Sequence, residues 1–398
     1  MNSSAPAGPA VDWLLGEARF LPSGPATLKE LGLRLNAAGI DLARASFHVR
    51  TLHPQLYGLG FYWYRGRDDI RVFQAGHDTR DSDMYRLSPM RLLFNEGVKE
   101  IRESLERDAS SFTFPLYAEL KAQGFTDYLA LPLTFSDGKV HGTTWSTDRK
   151  GGFHEDEIRL IKAVLPAFSL LIEIHLNRRI AVNLLDAYVG HQAGERILAG
   201  QITRGSGETI PAAIWFSDLR GFTAMSETTA RDELLDRLNL YFDAVAGPVT
   251  ERGGEILKFI GDAMLAIFPL AVDGACANAL AAAIEAEAAL AALNRERSRT
   301  GAPPLAAGIA LHVGEVMYGN IGSATRLDFT VIGPAVNLAS RIEGLCKTLG
   351  PSILLSDDFA ARCMGGGNGG GAPLRSLGRH HLRGIAREIE IFSPEATA

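Results

Sequence analysis

Cysteine is scarce in this chain. Three occur in 398 residues, Cys276, Cys346 and Cys363, and none sits in a CxxC pair. An odd number without metal-type spacing points to buried thiols in a reducing compartment rather than to disulfides or a zinc site. A surplus of positive charge is also missing: 40 Lys and Arg stand against 46 Asp and Glu, a net charge of −6. That balance leaves no basic footprint for nucleic acid. The opening MNSSAPAGPAVD has neither a basic start nor an apolar segment, which argues against a secretory signal. The most apolar stretch, LIKAVLPAFSLLIEIHL, is interrupted by Lys162, Pro166 and Glu173 and falls short of an unbroken membrane-length run. The expectation is a cytoplasmic protein with no membrane span and no nucleic-acid partner. What the chain does have is a 46% apolar composition, enough to give each of two or three domains its own core.

The first half, to about residue 185, opens with a helix-like segment, ATLKELGLRLNAAG, followed by strand-like runs ASFHVRTL, GFYWYRG and DIRVFQAG. A hairpin, DYLALPLTF then KVHGTTWSTD, turns on Ser136-Asp137-Gly138, where Asp-Gly accepts positive φ. A long helix begins near His154. Antiparallel strands flanked by helices give an α+β reading, and the order and length resemble a GAF sensor domain, which implies a regulatory role and an unidentified small-molecule effector. Along the long helix, Ile158, Ile161, Leu165, Phe168 and Ile172 step by three and four. That spacing fits a coiled-coil seam and equally a face packed on its own sheet.

The second half alternates differently. Strand AAIWFS precedes a helix from about Thr229 to Arg252, with Leu234, Leu238, Tyr241, Phe242 and Val245 at helical spacing. A hairpin follows, EILKFI turning at Gly261-Asp262 into AMLAIF, then an alanine-rich helix over about 274–297 and a strand LAAGIALH. The order is βαββαβ, the ferredoxin-like arrangement. A further strand EVMYGNI, the strand LDFTVI, a helix from about Pro334 and a terminal pair, LRSLGRHHL and REIEIF, complete the expected elements. The run GGGNGGG, 365–371, reads as a surface loop.

In FSDLRGFT, Asp218 ends a strand just before Gly221, which leaves the neighbouring backbone uncovered. An acid beside bare amides attracts phosphate only with a cation between them. Asp262 occupies the tip of the EILKFI–AMLAIF hairpin, and in a βαββαβ sheet the first and third strands can lie side by side. Two carboxylates at one sheet edge suit a hard divalent cation such as magnesium or manganese.

Three ordered segments, FSDLRGFTAMSE, EILKFIGDAMLAIF and DFTVIGPAVNLASRIE, resemble the signature segments of class III nucleotide cyclase catalytic domains over residues from about 205 to 393. The resemblance implies conversion of a nucleoside triphosphate to its 3′,5′-cyclic monophosphate and pyrophosphate, with two divalent cations at each site. It implies Asp218, Asp262 and Leu219 as metal ligands and the backbone Leu219, Arg220, Gly221, Phe222 and Thr223 as a phosphate cradle. Arg341 matches the transition-state arginine, Asn337 the residue that positions the ribose, and Arg383 stands where the family usually has a triphosphate-binding lysine. Lys258 and Thr330 match the base-selecting positions. A lysine only donates, which suits N1 of adenine and opposes the N1–H of guanine, while a threonine hydroxyl serves either base. Pro334 replaces a residue that is often polar, and His312 is expected to be structural rather than a base.

The expected function is therefore an adenylyl cyclase acting on ATP, with guanylyl cyclase and a degenerate nucleotide-binding module as alternatives. In the family the base-selecting and metal-binding residues of one site come from opposite domains. A chain with one catalytic domain then implies a homodimer with shared sites. The expected fold class is α+β, a ferredoxin-like cyclase core after an N-terminal α+β GAF-like domain. The expected boundaries are an N-terminal tail 1–24, a GAF-like domain 25–185, a connector 186–210, a catalytic domain 211–393 and a C-terminal tail 394–398.

Overall fold

The structure, a computed structural model, describes residues 8–365 and 373–395. The Gly-rich run expected as a loop at 365–371 lies outside the described residues from 366 onward. The chain divides into two compact units, Met1–Leu184 and Leu185–Ala398.

The first unit runs α1 (Gly8–Leu15), α2 (Gly24–Ala37), β1 (Arg44–Arg50), β2 (Leu56–Tyr64), β3 (Arg71–Gly76), α3 (Asp83–Arg86), α4 (Pro89–Asn95), β4 (Ile101–Ser104), α5 (Pro115–Ala122), β5 (Asp127–Thr134), β6 (Val140–Thr147) and α6 (Glu155–Val189). Its six strands form an antiparallel sheet in the order β3-β2-β1-β6-β5-β4. The β5–β6 hairpin turns where Asp-Gly stands: Gly138 has φ 79°, and Asp137 accepts from the Lys139 amide at 2.9 Å. Ser23 caps α2 by accepting from the Ala26 amide at 3.3 Å, with Pro25 in the first turn. Residues 8–15 belong to the fold rather than to a tail, because the amphipathic run buries Trp13 and Leu14 in the core beneath α2 and α6. Ile158, Ile161, Phe168 and Ile172 are buried against Phe47, Trp63 and Trp145, with Leu165 partly buried beside them. The repeat along α6 is thus the face that packs on its own sheet.

The second unit continues with α7 (His191–Leu198), β7 (Gly207–Leu219), α8 (Phe222–Thr228), α9 (Arg231–Glu251), β8 (Glu255–Ile260), β9 (Ala263–Pro269), α10 (Ala275–Arg299), β10 (Ala307–Gly322), β11 (Leu327–Ile332), α11 (Pro334–Leu349), β12 (Ile353–Ser356), α12 (Asp357–Gly365), β13 (Leu374–His380) and β14 (Ile389–Pro394). The sheet order is β13-β14-β12-β10-β7-β9-β8, with β11 folded back on β10. Within it, β10-β7-β9-β8 is the ferredoxin-like core, and β7 lies antiparallel beside β9. α9 and α10 bury Tyr241, Val245, Ala279 and Ala283 against one face, and α11 covers the other with Ala335, Ala339 and Ile342.

Two strands were expected at LAAGIALH and EVMYGNI, and the structure has one. β7 extends back to Gly207 and pairs with β10 from Ala307↔Leu219 to Gly319↔Gly207, so the ladder carries β10 unbroken through Gly314. The short elements β4, β12 and α12 lack a readable period and went unforeseen. Two helices, Glu155–Val189 and Ala275–Arg299, are long and apolar enough by length and composition to cross a membrane. Each packs apolar residues into the core of its own unit.

Candidate active site

The β7–β9 register sets Asp218 opposite Ala263, which brings the end of β7 beside the hairpin tip that carries Asp262. The two carboxylates come within hydrogen-bonding reach of one another. Burial first, and then Asp262, push the Asp218 carboxyl up to about 6, while Lys347 and the Leu219 amide oppose the shift. Lys347 Nζ stands 4.0 Å from Asp218 Oδ2. Two neighbouring acids, the first with its proton affinity raised by the second, form an all-oxygen donor set at this partly exposed edge. These residues fit a hard divalent cation. Among the described residues no group of three or more His, Cys, Asp or Glu is arranged to hold a metal. The pair is the protein's own contribution.

The turn after Asp218 narrows the expected phosphate cradle. Gly221 adopts φ 77°, a left-handed conformation that a side chain would strain, and from there the chain enters α8. The first-turn amides of Phe222 and Thr223 have no acceptor within that helix. Arg220 is a correction to the expected cradle. Its amide donates to Ala306 O at 2.8 Å, and its Nη2 donates to Cys346 O at 3.2 Å and Pro351 O at 3.1 Å. Its amide is thus committed to the fold, while its buried Nε has no partner. Leu219 is 1% exposed and has only its backbone to offer.

Lys258, the fourth residue of β8, faces β11, the strand that carries Thr330. Lys258 Nζ lies 3.6 Å from Asp328 Oδ2. Thr330 is 3% exposed, and its Oγ1 has no hydrogen-bond partner. A buried hydroxyl without a partner is costly, so its pairing capacity is available to a ligand. Pro334 occupies the first turn of α11, as its fixed φ favours. Asn337 and Arg341 follow on that helix, four residues apart on one side. The Arg341 guanidinium reaches the loop at Gly384, next to Arg383: a Cβ built at Gly384 would lie 3.5 Å from both Nη atoms. His312 is buried in β10 and bonds Ser356 Oγ through Nδ1 at 2.8 Å, a structural position.

Residues 206–384 match the family model described as the adenylate and guanylate cyclase catalytic domain. This segment is a class III cyclase catalytic domain. The chain is 37% identical over 215 residues to an adenylate cyclase of Anabaena cylindrica, covering 51% of this chain and 41% of that protein. It is 31% identical over 179 residues to adenylate cyclase 1 of Rhizobium meliloti, covering 44% of this chain and 26% of that one. The match thus spans less than half the length of either relative. Among solved structures, an adenylyl cyclase from P. aeruginosa aligns at 28% identity and TM-score 0.42, over 48% of this chain and 97% of that one. The guanylyl cyclase Cya2 aligns at 31% and 0.41, over 47% and 92%.

Three residues of the cyclase domain were not foreseen as part of this region. Asp328 pairs with Lys258, and Lys347 faces Asp218. Glu343 is 4% exposed, and its Oε1 has no partner. Burial first, and then Asp218, push its carboxyl up to about 7. Gly308, the register partner of Asp218, makes room for it, since a Cβ at that position would overlap Glu343 Oε1. Glu343 and Lys347 are four residues apart, and that spacing was the available signal.

Proposed function

We propose that this protein is an adenylyl cyclase that converts ATP to 3′,5′-cyclic AMP and pyrophosphate, working as a homodimer whose sites are shared between two cyclase domains. The observation that carries the proposal is the conjunction of the Asp218–Asp262 pair with Lys258 and the unpartnered Thr330 hydroxyl inside a cyclase domain. The curated relatives named above carry the adenylate cyclase name. In this reading Asp218 and Asp262 would hold two divalent cations, which would supply charge neutralisation for the triphosphate and a lowered pKa for the ribose 3′-hydroxyl. Lys258 donates to adenine N1, and Thr330 Oγ1 accepts from the N6 amine. Asn337 holds the ribose, and Arg341 follows charge developing on the α-phosphate. Arg383 and the amides of Gly221, Phe222 and Thr223 hold the remaining phosphates. An ATP substrate makes the cytoplasm the working compartment. The first unit, read as a GAF-like domain, regulates turnover.

The homodimer is supported by helix geometry. An α-helix turns about 100° per residue, so Arg341 and Glu343 leave α11 about 160° apart. Glu343 faces its own Asp218, as the charge effect of Asp218 on it and the contact with Gly308 require. Arg341 therefore points away from the Asp218–Asp262 pair of its own chain and serves a second copy. Exposed Phe259, Ile260, Leu327 and Ile332 on β8 and β11 supply apolar surface beside Lys258.

The test is turnover by the purified full chain with ATP or GTP, with magnesium and manganese compared. Cyclic AMP from ATP is expected, with Asp218→Asn reduced to background while the protein stays folded. Near-normal turnover by folded Asp218→Asn would sink the metal reading, and equal or better use of GTP would replace the adenylyl assignment with a guanylyl one. Binding of ATP without product would identify a degenerate module.

A further inference from the structure

Strand β1 of the first unit has two buried faces of opposite character. Ala45, Phe47 and Val49 point into the hydrophobic core. The alternate residues, Arg44, Ser46, His48 and Arg50, form a polar row on the other face. That face is covered by α3, α4 and α5, and a cavity of about 570 Å³ lies between them, within the range of small-molecule sites. A face covered only for packing would be apolar. Tyr57, Tyr62, Phe73, Phe94 and Tyr128 line the cavity together with Arg44, His48 and Arg50.

Three donors around this cavity lack acceptors. Arg44 is 4% exposed. Its Nη1 donates to Thr144 Oγ1 at 3.0 Å, its guanidinium lies 5.0 Å from the Tyr62 ring centre, and its Nε has no partner. Among the described residues Arg44 forms no ion pair. Arg50, stacked 5.4 Å from Phe94, likewise has an unpartnered Nε, and the buried Tyr128 hydroxyl is unpartnered too. All three orphans are groups that donate. His48 accepts no compensating charge: its Nε2 bonds Ser46 Oγ at 3.0 Å, and burial with the nearby Arg44 lowers it to about 3, so it is neutral. The lining acids, Asp83 and Glu119, are exposed. A buried guanidinium without a counter-charge is stable only at a cost that a bound anion removes.

We propose that this cavity is a binding site for a small molecule joining one carboxylate to a flat apolar body. The planar fork of Arg44 takes the carboxylate, the Tyr128 hydroxyl adds a donor, and the aromatic walls enclose the body. With His48 neutral, the pocket offers one deeply buried cation, which matches a monoanion rather than a phosphate dianion.

The test is calorimetric titration of the full-length protein with 2-naphthoate, its neutral counterpart 2-naphthalenemethanol, and phenyl phosphate. The carboxylate is expected to bind at least about tenfold more tightly than the alcohol, the difference a charge-assisted hydrogen bond makes. Arg44→Met should abolish that preference. Tyr128→Phe, a milder change if Arg44→Met fails to fold, should weaken 2-naphthoate and leave the alcohol unaffected. Equal binding of carboxylate and alcohol by the unmodified protein would overturn the assignment, as would retention of the preference in folded Arg44→Met. Tighter binding of phenyl phosphate than of 2-naphthoate would overturn the choice of carboxylate.

Discussion

At the scale of single residues, the acids of the cyclase domain divide by what their neighbours let a sequence reveal. Asp218 and Asp262 each stand near a glycine at the end of a strand, and that local chemistry was legible. Glu343 was not, because an acid in LASRIEGL looks like any solvated helix residue until β7 and β10 close beneath it. Its folded pKa of about 7 lies above its ordinary value of 4.5, so the folded state holds a proton that the unfolded chain releases. The sign follows: the contribution to stability is present below about pH 4.5 and is lost as pH rises through about 7. With chelator present, Glu343→Gln should match the unmodified protein near pH 5 and be more stable near pH 8, by about 1–3 kcal/mol, because a neutral amide replaces a buried charge. Urea midpoints at the two pH values measure this. A Glu343→Gln protein less stable at pH 8 would mean that the carboxylate is paired there after all.

At the scale of elements, periodic helices were legible and strand limits were not. α9 follows from its apolar spacing, since one buried face is enough to define it. The join of two expected strands into β10 depends on the length of β7, which no local window contains. Gly314 lies at that join, and its role is to seat a helix. A Cβ at Gly314 would lie 2.5 Å from Ala335 Cβ at the start of α11, so the helix must move outward by about 1 Å to restore an ordinary contact. α11 carries Asn337 and Arg341, and a displacement of that size costs as much as about 100-fold in rate. Gly314→Ala should therefore lower kcat by about 10- to 100-fold, with an overpacking cost of about 1–3 kcal/mol. Steady-state kinetics beside thermal melting separate the two effects. Full activity in Gly314→Ala would show that the seat of α11 does not set the site.

At the scale of the whole molecule, the cyclase domain presents its proposed machinery as separate groups: Asp218 with Asp262 and Lys347, Lys258 with Asp328 and Thr330, and Arg341 with the Arg383–Gly384 loop. No hydrogen bond or ion pair joins one group to another among the described residues. A shared dimer site predicts how defects combine. Asp262→Asn disables the metal half of a site and Arg341→Ala the charge-stabilising half, so each homodimer carries a defect in both sites and should be nearly inactive. In a heterodimer both defects fall in one site and leave the other native. Random assortment makes about half of the dimers heterodimers, each with one good site of two, so activity should recover to about a quarter of the unmodified level. Co-expression with two different affinity tags, followed by tandem purification, isolates the heterodimer, whose activity should then approach half. A purified heterodimer no more active than either single variant would place each site within one chain, and Arg341 would have to reach its own Asp218 from the opposite side of α11.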